Sequence, residues 1–119
     1  MSDEEPLLKD ILFVGSSRKE LVDLDAEVRK AFGYMLCEAQ RGLRPTGSKP
    51  LPEFGPRVVE LVKVHATDSY RCVIYLTKRL VFVLFPFKKK SKTGKEIPKE
   101  IRRVLHHRLT MAKDIEKEM

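Results

Sequence analysis

Arg71, Glu60 and the lysines between positions 88 and 92 are the residues of this 119-residue chain whose types and placement can do chemistry. A guanidinium fork matches two phosphate oxygens and stays charged at any working pH. A carboxylate on a neighbouring strand can accept a proton. A lysine crowded by other cations has a lowered pKa and can give one up. Metal-free cleavage of RNA by attack of a ribose 2′-oxygen on the adjacent phosphate needs those three roles. Arg71 suits charge stabilisation on the phosphorane oxygens, Lys89 the acid for the leaving oxygen, and Glu60 the base. Glu60 has an equally natural second role, as a structural ion partner of Arg71. Lys49, Lys88, Lys90, Lys92 and Lys95 are candidate contacts to an RNA backbone. Spacing alone leaves open which of Lys88, Lys89 and Lys90 points inward. His65 reads as a turn residue, and His106 and His107 as surface residues. There is no Cys/His set at zinc spacing and no Asp/Glu cluster near the lysines, so neither a metal nor a cofactor is expected.

These groups depend on the elements that carry them. Tyr70–Thr77 and Leu80–Phe87 read as two apolar strands joined through Lys78-Arg79. If Thr77 faces Leu80, then Arg71 faces Pro86 and Lys88 lies beside Arg71 on the same face. A bulge near Pro86, which cannot donate to a ladder, brings Lys89 there instead. Arg57–Val64 reads as the preceding strand, with Val58, Glu60 and Val62 on one face and Val59 and Leu61 on the other. Tyr75 shares the face of Arg71, and Tyr70 does not.

The rest of the chain supplies cover. Ile11–Val14 reads as a first strand ending at Gly15. Ser17 and Glu20 have the spacing of a capping box on a short helix. Asp25 can cap a longer helix whose apolar stripe is Val28, Ala31, Phe32, Met35, Leu36 and Ala39, stopped at Gly42. The segment from Leu43 to Pro56 holds four of the seven prolines and reads as a loop containing Lys49. Pro98 suits the start of a last helix, with Ile101, Val104, Leu105, Ala112 and Ile115 facing inward. The order β-α-α-β-β-β-α predicts an α+β fold of two layers, helices over a small, mostly antiparallel sheet. It predicts one domain over residues 1–119, residues 1–9 being a frayed tail.

Charge narrows the partner. The net charge is +7, and it is uneven: residues 78–108 hold eleven Lys/Arg against Glu96 and Glu100. Such a distribution fits a nucleic acid, without saying which kind, and equally a solvated basic face with no partner. No apolar run approaches the roughly 20 residues that span a bilayer. The start is acidic rather than basic, unlike a secretory signal. Cys37 and Cys72 read as small core residues in a reducing cytoplasm.

Several short pieces, in order, resemble the phage-related, HigB-like branch of the RelE/ParE toxin superfamily. They are Val14-Gly15-Ser16-Ser17, Gly33-Tyr34, Gln40-Arg41-Gly42, Lys49-Pro50-Leu51, Val59-Glu60-Leu61, Tyr70 to Tyr75, and Phe87 to Ser91. The resemblance implies a RelE-like fold and a toxin of a type II toxin–antitoxin pair. It implies cleavage of mRNA in the ribosomal A site without metal or cofactor. It also implies a HigA-like antitoxin carrying a helix-turn-helix domain. The branch's catalytic arginine falls on Arg71 and its second cation near Lys89. Its Glu-Leu-Arg motif reads Glu60-Leu61-Val62 here, so one cation is missing; Lys63 is adjacent but on the other face. That departure favours an alternative, a non-catalytic member that binds nucleic acid or, ParE-like, a topoisomerase.

Overall fold

A computed structural model describes residues 8–89 and 97–119. Its elements are β1 (Asp10–Phe13), α1 (Ser17–Val22), α2 (Ala26–Gln40), β2 (Lys49–Pro50), β3 (Val58–His65), β4 (Asp68–Leu76), β5 (Leu80–Lys89) and α3 (Lys99–Lys117), with a single 3-10 turn at Pro52–Phe54. The five strands form one sheet in the order β1-β5-β4-β3-β2. Only β1–β5 is parallel; the other pairs are antiparallel. The α+β class and mostly antiparallel sheet are those expected from the sequence.

The helices sit on both faces of the sheet. Val28, Phe32, Leu36 and Ala39 of α2 pack with Leu21 of α1 on Leu61, Tyr70, Cys72, Ile74, Val81 and Val83. Leu105, Leu109 and Ala112 of α3 pack on Val58, Val73, Tyr75, Phe82, Leu84 and Phe87. The two expected layers are therefore three, because the central strands are apolar on both sides. Such strands need cover on both sides.

Local chemistry explains the boundaries. Asp25 caps α2 as expected, its side chain accepting from the Glu27 N–H at 3.0 Å. Gly42 ends it at φ +77°, with its N–H on the Ala39 carbonyl at 3.0 Å. The expected capping box on α1 does not form. Ser17 is the first helical residue, its buried hydroxyl has no partner among the described residues, and Glu20 reaches across to Arg108 of α3 instead. The Lys78-Arg79 turn closes as expected, the Thr77 N–H donating to the Leu80 carbonyl at 2.9 Å and Thr77 Oγ1 accepting from the Leu80 N–H at 2.9 Å.

Three differences stand out. Lys49 and Pro50, expected in a loop, form an edge strand opposite Glu60 and Val59. Leu109, missing from the expected stripe of α3, is buried. Cys37 lies on the exposed side of α2, whereas Cys72 is in the core; both are free thiols, and burial pushes the Cys72 thiol far up. The expected tail falls mostly outside the described residues. Lys9, at its end, exchanges hydrogen bonds of 2.8 Å with Gln40. Among the described residues no helix is long and apolar enough to cross a membrane.

Candidate functional site

The hairpin of β4 and β5 contains one irregularity that decides the site. From Leu76↔Val81 to Ile74↔Val83 the pairing is regular, and from Val73↔Phe85 to Ser69↔Lys89 it is regular again, shifted by one residue. Leu84 is the extra residue, so the bulge lies there and not at Pro86. As a bulge does, it puts two consecutive side chains, Leu84 and Phe85, on the α3 face. It also places Phe87 opposite Arg71 and Lys89 opposite Ser69. Lys89 is thus the lysine that shares the face of Arg71. The alternative in which Arg71 faces Pro86 and Lys88 lies inward is overturned.

On that face β3 and β2 add their own residues. Glu60 is paired with Lys49 on one side and with Val73 on the other, and Val62 lies opposite Arg71. Four charged side chains therefore meet on adjacent strands: Lys49, Glu60, Arg71 and Lys89. Arg71 Nε is 3.4 Å from Glu60 Oε1, both side chains being about nine-tenths buried, at 12% and 9% exposure. Among the described residues Nε makes no hydrogen bond. Arg71 Nη1 donates to Ser69 Oγ and, at 3.5 Å, to the Tyr70 carbonyl.

The electrostatics push acid and base toward each other. Burial raises the Glu60 carboxyl above its usual range, although Arg71, Lys89 and Lys49 all favour its charged form. Burial lowers the Lys89 ammonium, the charge of Arg71 lowers it further, and Glu60 only partly compensates. Lys89 is buried at 8% exposure, unusual for a lysine. An acid and a base with pKa values displaced in this way are suited to proton transfer nearer neutrality.

The other expected residues fall elsewhere. Lys88 lies opposite Tyr70, exposed, in an ion pair with Asp68 at 3.1 Å. Lys90, Lys92 and Lys95 lie outside the described residues. His65 ends β3, with Nε2 at 3.5 Å from Asp25. His106 is exposed and stacks on Phe54, ring centroids 4.5 Å apart. His107 is exposed on α3. Among the described residues no cluster of three or more His, Cys, Asp or Glu can hold a metal ion.

Two contributors were not anticipated. Ser69 reads as a turn residue in sequence, but β4 begins at Asp68, and period-two spacing from Arg71 puts Ser69 on the same face. Glu53, in the 3-10 turn, is near enough to raise Glu60 slightly and is itself tied to Arg102 of α3. Nothing local in sequence signals that contact.

No curated protein matches the chain. The family of phage-derived Gp49-like proteins (DUF891) matches residues 19–110, from α1 through most of α3 and across every residue of the charged cluster. Spanning more than half of the sequence and all of its site, that match places the chain in the Gp49-like family, a RelE-like toxin family of type II toxin–antitoxin systems.

Proposed function

We propose that this toxin is a metal-independent, ribosome-dependent mRNA endoribonuclease of the HigB-like kind, restrained by a helix-turn-helix antitoxin. The observation that carries the reading is the convergence of Arg71, Lys89, Glu60 and Lys49 on one face of the sheet. In it Glu60 takes the proton of the 2′-hydroxyl as that oxygen attacks phosphorus. Arg71 and Lys49 balance charge on the phosphorane oxygens. Lys89 gives its proton to the departing 5′-oxygen, leaving a 2′,3′-cyclic phosphate and a 5′-hydroxyl. Ser69 steers the Arg71 guanidinium. The ribosome supplies the alignment of 2′-oxygen and phosphate that a free strand lacks.

Val62 stands where the resemblance expects a third cation, and Arg71 is engaged by Glu60. These two features favour the second reading, a non-catalytic binder. Primer extension on a defined mRNA in a purified translation system separates the readings. New ends within the A-site codon are expected with wild type plus ribosomes, and neither with Arg71→Ala nor without ribosomes. Intact mRNA in the presence of folded, growth-inhibiting wild-type protein would overturn the nuclease reading in favour of the binder.

A further inference from the structure

From Leu80 to Phe87 every residue of β5 is apolar, so alternation cannot tell the sheet which side chain takes which face. A slip of one residue nevertheless decides the composition of the charged cluster. Continuing the Ile74↔Val83 pairing without a bulge would set Pro86 opposite Arg71 and Lys88 opposite Ser69. The bulge at Leu84 sets Phe87 and Lys89 there instead. β1 gives no help, since it ends opposite Val83.

A polar contact sits at this point. Arg108 Nη1 donates to the Leu84 carbonyl at 2.8 Å. The same guanidinium forms a two-pronged ion pair with Glu20 of α1, at 2.6 Å and 2.9 Å. It also lies 4.8 Å from the ring centroid of Phe85, the first residue after the bulge. The Arg108 side chain is 11% exposed. A charge-assisted bond to a bulge carbonyl is strong, and its loss leaves that carbonyl unmatched. Room for it comes from Gly15, at φ +59°, where an added Cβ would lie 3.1 Å from Arg108 Nε.

We propose that Arg108, braced by Glu20, is a positioning residue: it holds the Leu84 bulge and thereby selects Lys89 rather than Lys88 as the lysine beside Arg71 and Glu60. The register claim stands by itself; its effect on rate rests on the endoribonuclease reading.

NMR of wild type, Arg108→Ala and Leu109→Ala tests the register directly. Wild type and Leu109→Ala, a comparably disruptive apolar truncation, are expected to keep cross-strand contacts between Arg71 and Phe87 and between Ser69 and Lys89. Folded Arg108→Ala is expected to lose them, by replacement with Arg71–Pro86 and Ser69–Lys88 contacts or by exchange broadening confined to residues 84–89. Retention of sharp wild-type contacts in Arg108→Ala would overturn the proposal. Should that variant not fold, Glu20→Gln carries the test: broadening over residues 84–89 supports the proposal, and an unchanged register overturns it. In the cleavage assay Arg108→Ala is expected to lose up to about 100-fold in kcat with KM little changed, and Arg108→Lys to recover part of it. A wild type without cleavage would remove the nuclease reading and leave the NMR result to judge the register.

Discussion

Glu60 and Lys89 are displaced in opposite directions by the same burial, and the consequence is a pH profile. On the endoribonuclease reading Glu60 must be ionised to act as base, so the rate is expected to fall as pH falls through a pKa raised above the ordinary carboxylate range. On the same reading Lys89 must be protonated to act as acid, so the rate is expected to fall as pH rises through a pKa below the ordinary lysine range. Single-turnover cleavage against pH is expected to be bell-shaped. Glu60→Gln should abolish the acidic limb and Lys89→Met the alkaline one, each at a loss of about 10²- to 10⁴-fold. Arg71→Ala should cost roughly 10²- to 10³-fold with the fold retained, checked by circular dichroism beside the rate. The facing of Arg71, Glu60 and Tyr75 was legible because side chains alternate without interruption along β3 and β4. The identity of the inward lysine was not legible, because it depends on a bulge in a run of apolar residues, whose Leu84 carbonyl is met by a side chain of α3 24 residues further along the sequence.

At the level of elements, the sheet is pinned to α3 at the end remote from the site. Arg57 Nη2 donates to the Tyr75 hydroxyl at 2.6 Å, that hydroxyl donates to Glu116 Oε1 at 2.6 Å, and Arg57 Nη1 reaches Glu116 Oε2 at 2.9 Å. Burial, with the Glu116 hydrogen bond second, pushes the Tyr75 phenol up to about 12. Bonds from Tyr75 and Arg57 hold the Glu116 carboxyl below its usual range. A carboxyl depressed by folding stabilises above its unfolded pKa and loses that contribution as pH falls through the folded one. Tyr75→Phe should therefore cost about 1 kcal/mol at neutral pH, with the difference narrowing in acid, as read from urea melts. The β3–β4 turn offers the opposite change. Ala66 sits at φ +56°, in the left-handed region. Ala66→Gly should relieve roughly 1 kcal/mol of backbone strain, less the entropy that glycine adds to the unfolded chain. Helices and strands were readable from periodicity and caps, as the α2 stripe shows. β2 was not, since a two-residue strand containing Pro50 carries no periodic signal. The third layer escaped notice because an apolar strand looks alike whether one face is covered or both.

For the whole molecule, charge and burial pull apart. A chain of net charge +7 attracts a polyanion from a distance, yet of the groups proposed to act on it Glu60, Arg71 and Lys89 are drawn into the sheet and only Lys49 is exposed. Long-range attraction should therefore survive loss of the site. In salt titrations of single-stranded RNA binding, Lys49→Ala is expected to flatten the log–log slope by about 0.7, one phosphate contact, while leaving binding measurable. Membership of a toxin family implies an antitoxin partner as well. The raised Glu60 carboxyl has a further consequence, for inheritance. Ionised Glu60 works against the fold, so Glu60→Gln should melt higher than wild type at neutral pH, with the advantage vanishing as pH falls below the unfolded carboxyl pKa. On the endoribonuclease reading, a lineage burdened by this gene therefore has single-codon exits that silence the poison and keep a folded protein. Relics of that kind would still soak up antitoxin, and so would weaken the restraint on any intact copy sharing the cell.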